Sequence, residues 1–155
     1  MLKMIHGADF HLDSPFSGLS PERAAQRRRE QRELLDRLAG LAREKQADLV
    51  LLAGDLLDSE RVFRETVKAL RETLAAVPCP VFIAPGNHDY YSPRSVWAGL
   101  DWPDNVHIFT SDALERVDLP GCTLWGRAFT APHQDTSPLA GLKAAEDGTL
   151  QVACL

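Results

Sequence analysis

Three short segments carry side chains that can bind divalent cations, and each segment directly follows an apolar run. They are Asp9–His11, Gly54–Asp58 and Gly86–Asp89. Their carboxylate, imidazole and amide groups are ligands for hard or borderline divalent cations. Two such cations held close together promote the hydrolysis of phosphate esters, because they stabilise both the attacking and the leaving oxygen. The segments therefore predict a metal site for phosphoester chemistry.

The spacing within these segments indicates which side chains bind metal. Asp9 and His11 are two residues apart, so one local turn can direct both side chains towards the same ion. Asp55 follows the flexible Gly54 and can bridge two ions. Asn87 offers a neutral amide oxygen to a second ion that already shares the charge of Asp55. We therefore predict a ligand set of Asp9, His11, Asp55 and Asn87.

The apolar runs before the segments read as buried strands that alternate with helices. Ser20 and Pro21 are a capping hydroxyl and a proline at the first helical position, which is a typical helix start. The predicted order is strand, helix, strand, helix, strand over Leu2–Ala8, Pro21–Gln46, Leu49–Ala53, Arg61–Ala76 and Val81–Ala84. Since right-handed crossovers make such strands parallel, all three polar segments fall at the carboxyl edge of one sheet.

Apolar spacing gives each helix an inner face, and three further strands follow Tyr90. The predicted inner residues are Leu34, Leu35, Leu38, Leu41 and Ala42 in the first helix, and Phe63, Val67, Leu70 and Leu74 in the second. The later strands are Val106–Phe109, Cys122–Trp125 and Leu150–Leu155, and residues 127–148 are mostly loop or a short irregular helix. The fold class is α/β, with one domain over residues 1–155.

Composition is that of an ordinary globular domain, with 45% apolar and 25% charged residues. Three widely spaced cysteines exclude a disulfide framework or a Cys-x-x-Cys zinc site, and they favour a reducing compartment. No signal-peptide pattern or membrane-length apolar run occurs. We therefore expect a cytoplasmic protein that does not bind membranes.

The chain resembles the calcineurin-like metallophosphoesterase superfamily, whose motifs are Asp-x-His, Gly-Asp and Gly-Asn-His-Asp/Glu. The segments Ile5–Leu12, Ala53–Ser59 and Gly126–Phe129 are similar to its DNA-repair exonuclease branch, the SbcD and YhaO type. The resemblance covers the N-terminal part of that catalytic domain. It implies a sandwich in which a mixed, largely parallel sheet is flanked by helices, and a chain that is truncated before the last strands.

The resemblance also implies roles for the site residues and names partners. Asp9 and His11 would bind the first metal ion, Asp55 would bridge, and Asn87 would bind the second. His88 would protonate the leaving oxygen, and Asp89 would hold the His88 imidazole in the required tautomer. The two ions would be Mn²⁺ and would activate a hydroxide that attacks phosphorus. DNA would be the substrate, and a coiled-coil ATPase would be the partner.

The family takes further histidine ligands from later strands, and the histidines after Asp89 in this chain do not match those motifs. We therefore expect weak metal binding, little turnover, and self-association of a sandwich that lacks strands, for example as a homodimer. Two other functions remain open. One is a different phosphoesterase, acting on nucleotides, cyclic nucleotides or phosphoproteins. The other is a non-catalytic interaction domain.

Several individual residues have two interpretations. His6 is expected in the core or behind the ligands, His107 in a structural position and His133 in solvent. Asp58 either supports the site or caps the second helix, and we favour the cap.

The cluster of Arg27–Arg29 with Arg32 either contacts phosphates or forms ion pairs along an exposed helix, which we favour. Tyr90–Arg94 could guide a DNA strand past the metal ions, or it could be a structural segment. The three tryptophans are expected to serve packing.

Overall fold

The computed structural model describes residues 1–143, 146 and 148–155 of the chain. Its elements are β1 (Met4–Gly7), α1 (Pro21–Lys45), β2 (Leu49–Ala53), α2 (Arg64–Ala76), β3 (Val81–Ala84), β4 (Val106–Ile108), β5 (Glu115–Leu119), β6 (Cys122–Gly126) and β7 (Leu150–Cys154). Strands β1–β4 form one parallel sheet in chain order. Strands β5–β7 form a second sheet, in which β6 pairs antiparallel with β5 and parallel with β7.

The first sheet separates two apolar cores. Val50 and Leu52 of β2 lie in the core beneath the helices. Leu49 and Leu51 lie in the core that joins the two sheets. Because successive side chains of a strand point to opposite faces, a strand between two cores must be apolar at every position. The structure therefore confirms the predicted α/β sandwich with a largely parallel sheet and flanking helices.

The predicted inner faces of the helices need correction. In α1, Leu34 and Leu41 are 47% and 40% exposed, whereas Leu35 and Leu38 are buried together with Ala39. The predicted apolar stripe is too wide, since only one side of α1 contacts α2 and the sheet. In the second helix, the predicted inner residue Phe63 is 52% exposed and lies at the cap, outside the helical turns that pack on the sheet. No helix among the described residues is long and apolar enough to span a membrane.

Helix α2 begins at Arg64 and not at Arg61, because a residue distant in sequence holds its start. The Asp13 carboxylate accepts hydrogen bonds from the Phe63 backbone N–H at 2.8 Å and from the Thr66 hydroxyl at 2.6 Å. These bonds make Phe63 the residue at the helix cap. The sequence prediction also missed β5, because Glu115, Arg116 and Asp118 make that strand polar.

Candidate metal centre

The three polar segments meet at the carboxyl edge of the parallel sheet, where backbone hydrogen bonds join them. The N–H groups of Asp9 and His11 donate to the carbonyl oxygens of Gly54 and Asp55 at 3.2 and 2.9 Å. The Gly54 N–H donates to the Ala84 carbonyl oxygen at 2.8 Å, which connects the second segment to the end of β3. The predicted convergence of the segments is therefore observed in the structure.

Asp9, His11 and Asp55 form a ligand cluster, in which one potential ligand atom from each lies within 4.8 Å of the others. All three have left-handed backbone conformations, with φ values of 54°, 45° and 50°. Such conformations are unfavourable for residues other than glycine and concentrate at functional sites. Two carboxylates and one imidazole suit a borderline divalent cation, so the donor set fits the metal that the sequence predicted.

Asp58 contacts His11, a member of the ligand cluster, and orients its ring. Its Oδ1 atom lies 3.1 Å from His11 Nδ1 and accepts a hydrogen bond from the Ser14 hydroxyl at 2.7 Å. A carboxylate on Nδ1 favours the tautomer in which Nε2 is free to bind a metal ion. The favoured interpretation of Asp58 as a helix cap is therefore wrong, since α2 begins later and Phe63 occupies its cap position.

His88 stands beside the cluster at the exposed edge of the site. Its backbone N–H donates to Asp55 Oδ1 at 2.9 Å, and its Nδ1 lies 3.0 Å from the Asp58 carbonyl oxygen. The His88 and His11 rings meet edge to face with centroids 4.8 Å apart. The bond to the Asp58 carbonyl raises the pKa of His88, and the carboxylates of Asp55 and Asp58 add to this effect.

Asp89 connects two of the segments and does not contact the His88 ring through its carboxylate. It is 3% exposed and accepts hydrogen bonds from the backbone N–H groups of Gly86 at 2.7 Å and Leu57 at 3.1 Å. The predicted task of holding the His88 imidazole is therefore corrected, because the Asp58 carbonyl oxygen makes that contact. Burial raises the pKa of Asp89 to about 6, although the two backbone hydrogen bonds lower it.

This buried carboxyl group predicts a pH dependence of folding stability in the metal-free chain. The folded chain holds the Asp89 proton more tightly than the unfolded chain, so stability is lost as the pH rises through about 6. We expect this group to remove about 2 kcal/mol between about pH 4 and about pH 7. Asp89→Asn lacks the ionisation and should lose this part of the dependence. Urea unfolding of both chains with a chelator measures it, and parallel stability curves would contradict the assignment.

Asn87 is exposed and lies between Gly86 and His88. Its assignment as a ligand of a second ion stays a prediction. Within the part of the chain that the structure describes, carboxylate, imidazole and thiol groups form two candidate clusters. One is the ligand cluster, and the other joins His11, Asp58 and His88.

The other histidines lie away from the cluster. His6 is exposed on the edge strand β1, so its expected burial is wrong. The His107 ring packs against the rings of Phe82 and Phe109, as expected for a structural residue. His133 is exposed, as predicted.

Ion pairs engage part of the arginine cluster in α1. Arg27 binds Glu30 at 2.8 Å, and Arg32 lies 3.5 Å from the buried Asp13 carboxylate. The expected packing role holds for Trp97 and Trp102, whose rings lie 5.3 Å apart.

Comparison with known proteins assigns this site to a family. The sequence model described as calcineurin-like phosphoesterase matches residues 2–140. The chain belongs to the calcineurin-like phosphoesterase family. Members of this family use divalent metal ions, and this phosphoesterase places candidate ligands for them at the carboxyl edge of its parallel sheet.

Curated relatives of this phosphoesterase are considerably longer than the chain. The uncharacterized metallophosphoesterase YhaO of Bacillus subtilis is 38% identical over 125 residues, which are 74% of the chain and 29% of the relative. The SbcD component of nuclease SbcCD from Staphylococcus epidermidis is 27% identical over 140 residues, which are 88% of the chain and 35% of the relative. The corresponding Bacillus subtilis protein is 26% identical over 125 residues, 76% of the chain and 30% of the relative. The phosphoesterase thus spans about a third of their length.

Proposed function

We propose that this phosphoesterase hydrolyses phosphodiester bonds of DNA, as part of an exonuclease subunit that works with Mn²⁺. The observation that carries the proposal is the cluster of Asp9, His11 and Asp55 within 4.8 Å, with the His88 imidazole beside it. Two carboxylates attract divalent cations, and an exposed imidazole next to them can reach a phosphate ester from solvent.

Different residues of the site would bind the cations and transfer the proton. Asp9 and His11 would hold one cation, Asp55 would bridge and Asn87 would hold a second. Bound cations supply Lewis-acid chemistry, because they neutralise phosphoryl charge and acidify water. The Asp58 carbonyl oxygen occupies Nδ1 of His88, which leaves Nε2 to carry a proton to the departing oxygen.

Two observations support DNA as the substrate. The residues around Asp9 and Asp55 resemble the motifs of the exonuclease branch. The chain is also similar to proteins named as components of nuclease SbcCD. That name also describes one part of a larger nuclease, which agrees with the proposed coiled-coil ATPase partner. A phosphoesterase for nucleotides or phosphoproteins would share the metal ligands, so substrate comparison must separate these functions.

Hydrolysis assays test the proposal with linear DNA, bis(p-nitrophenyl) phosphate as a small diester and p-nitrophenyl phosphate as a monoester. We expect slow cleavage of both diesters in preference to the monoester, stopped by EDTA and restored by Mn²⁺. His88→Asn should lower the rate about 100-fold, because it removes the proton donor. His133→Asn alters an exposed histidine elsewhere and should leave the rate unchanged. Cleavage that persists in EDTA, or equal rates for both variants, would refute the proposal.

A further inference from the structure

The loop that follows β1 holds several residues in an unfavourable backbone conformation. The φ values of Asp9, His11, Asp13 and Phe16 are 54°, 45°, 66° and 48°. Left-handed conformations are costly for residues other than glycine, and they persist only where surrounding contacts hold the backbone in place. Asp9 and His11 are members of the ligand cluster, so the contacts that hold this loop also determine where two of the ligands lie.

The two sides of the His11 backbone are held differently. Its N–H donates to the Asp55 carbonyl oxygen, which belongs to the second polar segment. Its carbonyl oxygen accepts from the Ser14 N–H at 3.1 Å, a bond that stays within the same loop and does not attach it to the rest of the fold. The carbonyl side of His11 therefore needs a partner outside the loop.

Gln31 of α1 supplies this partner from 20 positions away in sequence. Its side-chain amide nitrogen donates to the His11 carbonyl oxygen at 2.9 Å and to the Phe10 carbonyl oxygen at 3.3 Å. An amide nitrogen carries two hydrogens, so one side chain can serve both carbonyl groups. The amide oxygen of Gln31 is buried and has no hydrogen-bond partner among the described residues. Because a buried oxygen without a partner is unfavourable, a polar side chain here is favourable only through its two N–H donors.

We propose that Gln31 is a positioning residue of the metal centre, which holds the backbone of His11 so that its ring stays directed towards the other ligands. This inference rests on the proposed function and adds a residue of α1 to that site. Asp58 fixes the ring of His11 through Nδ1, and Gln31 fixes the backbone that carries the ring. A ligand that is already in place loses less conformational entropy when an ion binds, so the metal affinity is higher.

Isothermal titration calorimetry with Mn²⁺ measures this effect without turnover, under conditions in which urea unfolding in EDTA shows every variant to be folded. Gln31→Met keeps the size of the side chain and removes both donors. It should lower the Mn²⁺ affinity about tenfold, within the range for residues that support metal ligands. Gln26→Met is the matched control, because Gln26 lies on the same helix and its amide donates to Glu30 at 2.9 Å on the exposed side. This control should bind Mn²⁺ as the wild-type chain does.

A spectroscopic measurement separates positioning from a loss of stability. Electron spin-echo spectra of bound Mn²⁺ detect a directly coordinated imidazole nitrogen, and recording them in His88→Asn chains makes the signal report on His11. The nitrogen signal per bound ion should fall in Gln31→Met and stay unchanged in Gln26→Met. A variant that was only less stable would keep this signal in its folded fraction, because His11 would still bind the ion.

The outcomes separate this inference from the proposed function. Equal Mn²⁺ affinities of Gln31→Met and Gln26→Met would overturn the role of Gln31, as would an unchanged nitrogen signal in Gln31→Met. Both results leave the wild-type chain able to bind Mn²⁺, so the proposed function would stand. An absence of Mn²⁺ binding by the wild-type chain would instead refute the metal centre on which both proposals depend.

Discussion

Replacing Asp55 by asparagine should lower the affinity of the chain for Mn²⁺ more than about 100-fold. Substitutions of residues that only support metal ligands cost about 10- to 100-fold, so losing a charged ligand at the centre of the site should cost more. Asparagine preserves shape, tolerates the left-handed conformation of this position and can still accept the hydrogen bond from the His88 N–H. The substitution therefore removes mainly the negative charge. Isothermal titration calorimetry with Mn²⁺ measures the effect.

Two control variants make this titration specific. Asp104→Asn removes an exposed carboxylate in the loop before β4 and should leave the affinity unchanged. Asp58→Asn weakens the support of His11 and should fall between the wild-type chain and Asp55→Asn, about 10- to 100-fold below the wild type. If Asp55→Asn binds Mn²⁺ as Asp104→Asn does, Asp55 is not a ligand.

Gly86→Ala should destabilise the fold by roughly 3 kcal/mol and should disrupt metal binding as well. A Cβ atom at this position would lie 2.3 Å from Asp55 Oδ1, 2.4 Å from Asp55 N and 2.9 Å from Gly54 Cα. Two of these atoms belong to the backbone, which cannot rotate away as a flexible side chain could. The segment Gly86–Asp89 would have to move away from Asp55, and the site would open.

Gly40→Ala is the matched control for Gly86→Ala. Gly40 lies inside α1, and a Cβ atom there would meet no heavy atom within 4 Å. Alanine is the better helix former, so this variant should gain up to about 1 kcal/mol. Urea unfolding and Mn²⁺ titration of both variants measure the contrast. Equal stabilities, or full metal affinity in Gly86→Ala, would show that the two segments are not packed as described.

The positions of the candidate metal ligands could be predicted because they depend on local patterns and on one topological rule. Each buried strand is recognisable from its unbroken apolar run, as in Leu49–Ala53. Parallel strands joined by right-handed helical crossovers bring their carboxyl ends to one edge. Asp9, His11 and Asp55 then had to meet, whatever the details of the loops.

The residues that support the ligands could not be predicted, because their contacts cross long stretches of sequence. Asp58 contacts His11 and Ser14 across 47 and 44 positions. Asp13 contacts Phe63 across 50 positions. Ordinary turn and capping rules apply to neighbours only, and for that reason they assigned Asp58 to a helix cap. The prediction for Asp89 failed for the same reason. Asp89 is next to His88 in sequence, which suggested that its carboxylate contacts the His88 ring. In the folded chain, the Asp58 carbonyl oxygen makes that contact instead.

Anomalous X-ray diffraction from crystals of the chain soaked in Mn²⁺ tests the central claim most directly. We predict a strong Mn²⁺ peak within coordination distance of Asp9, His11 and Asp55, with Nε2 of His11 facing the ion. A peak that none of these three side chains reaches, or no peak at saturating Mn²⁺, would contradict the metal centre and the proposed function that depends on it.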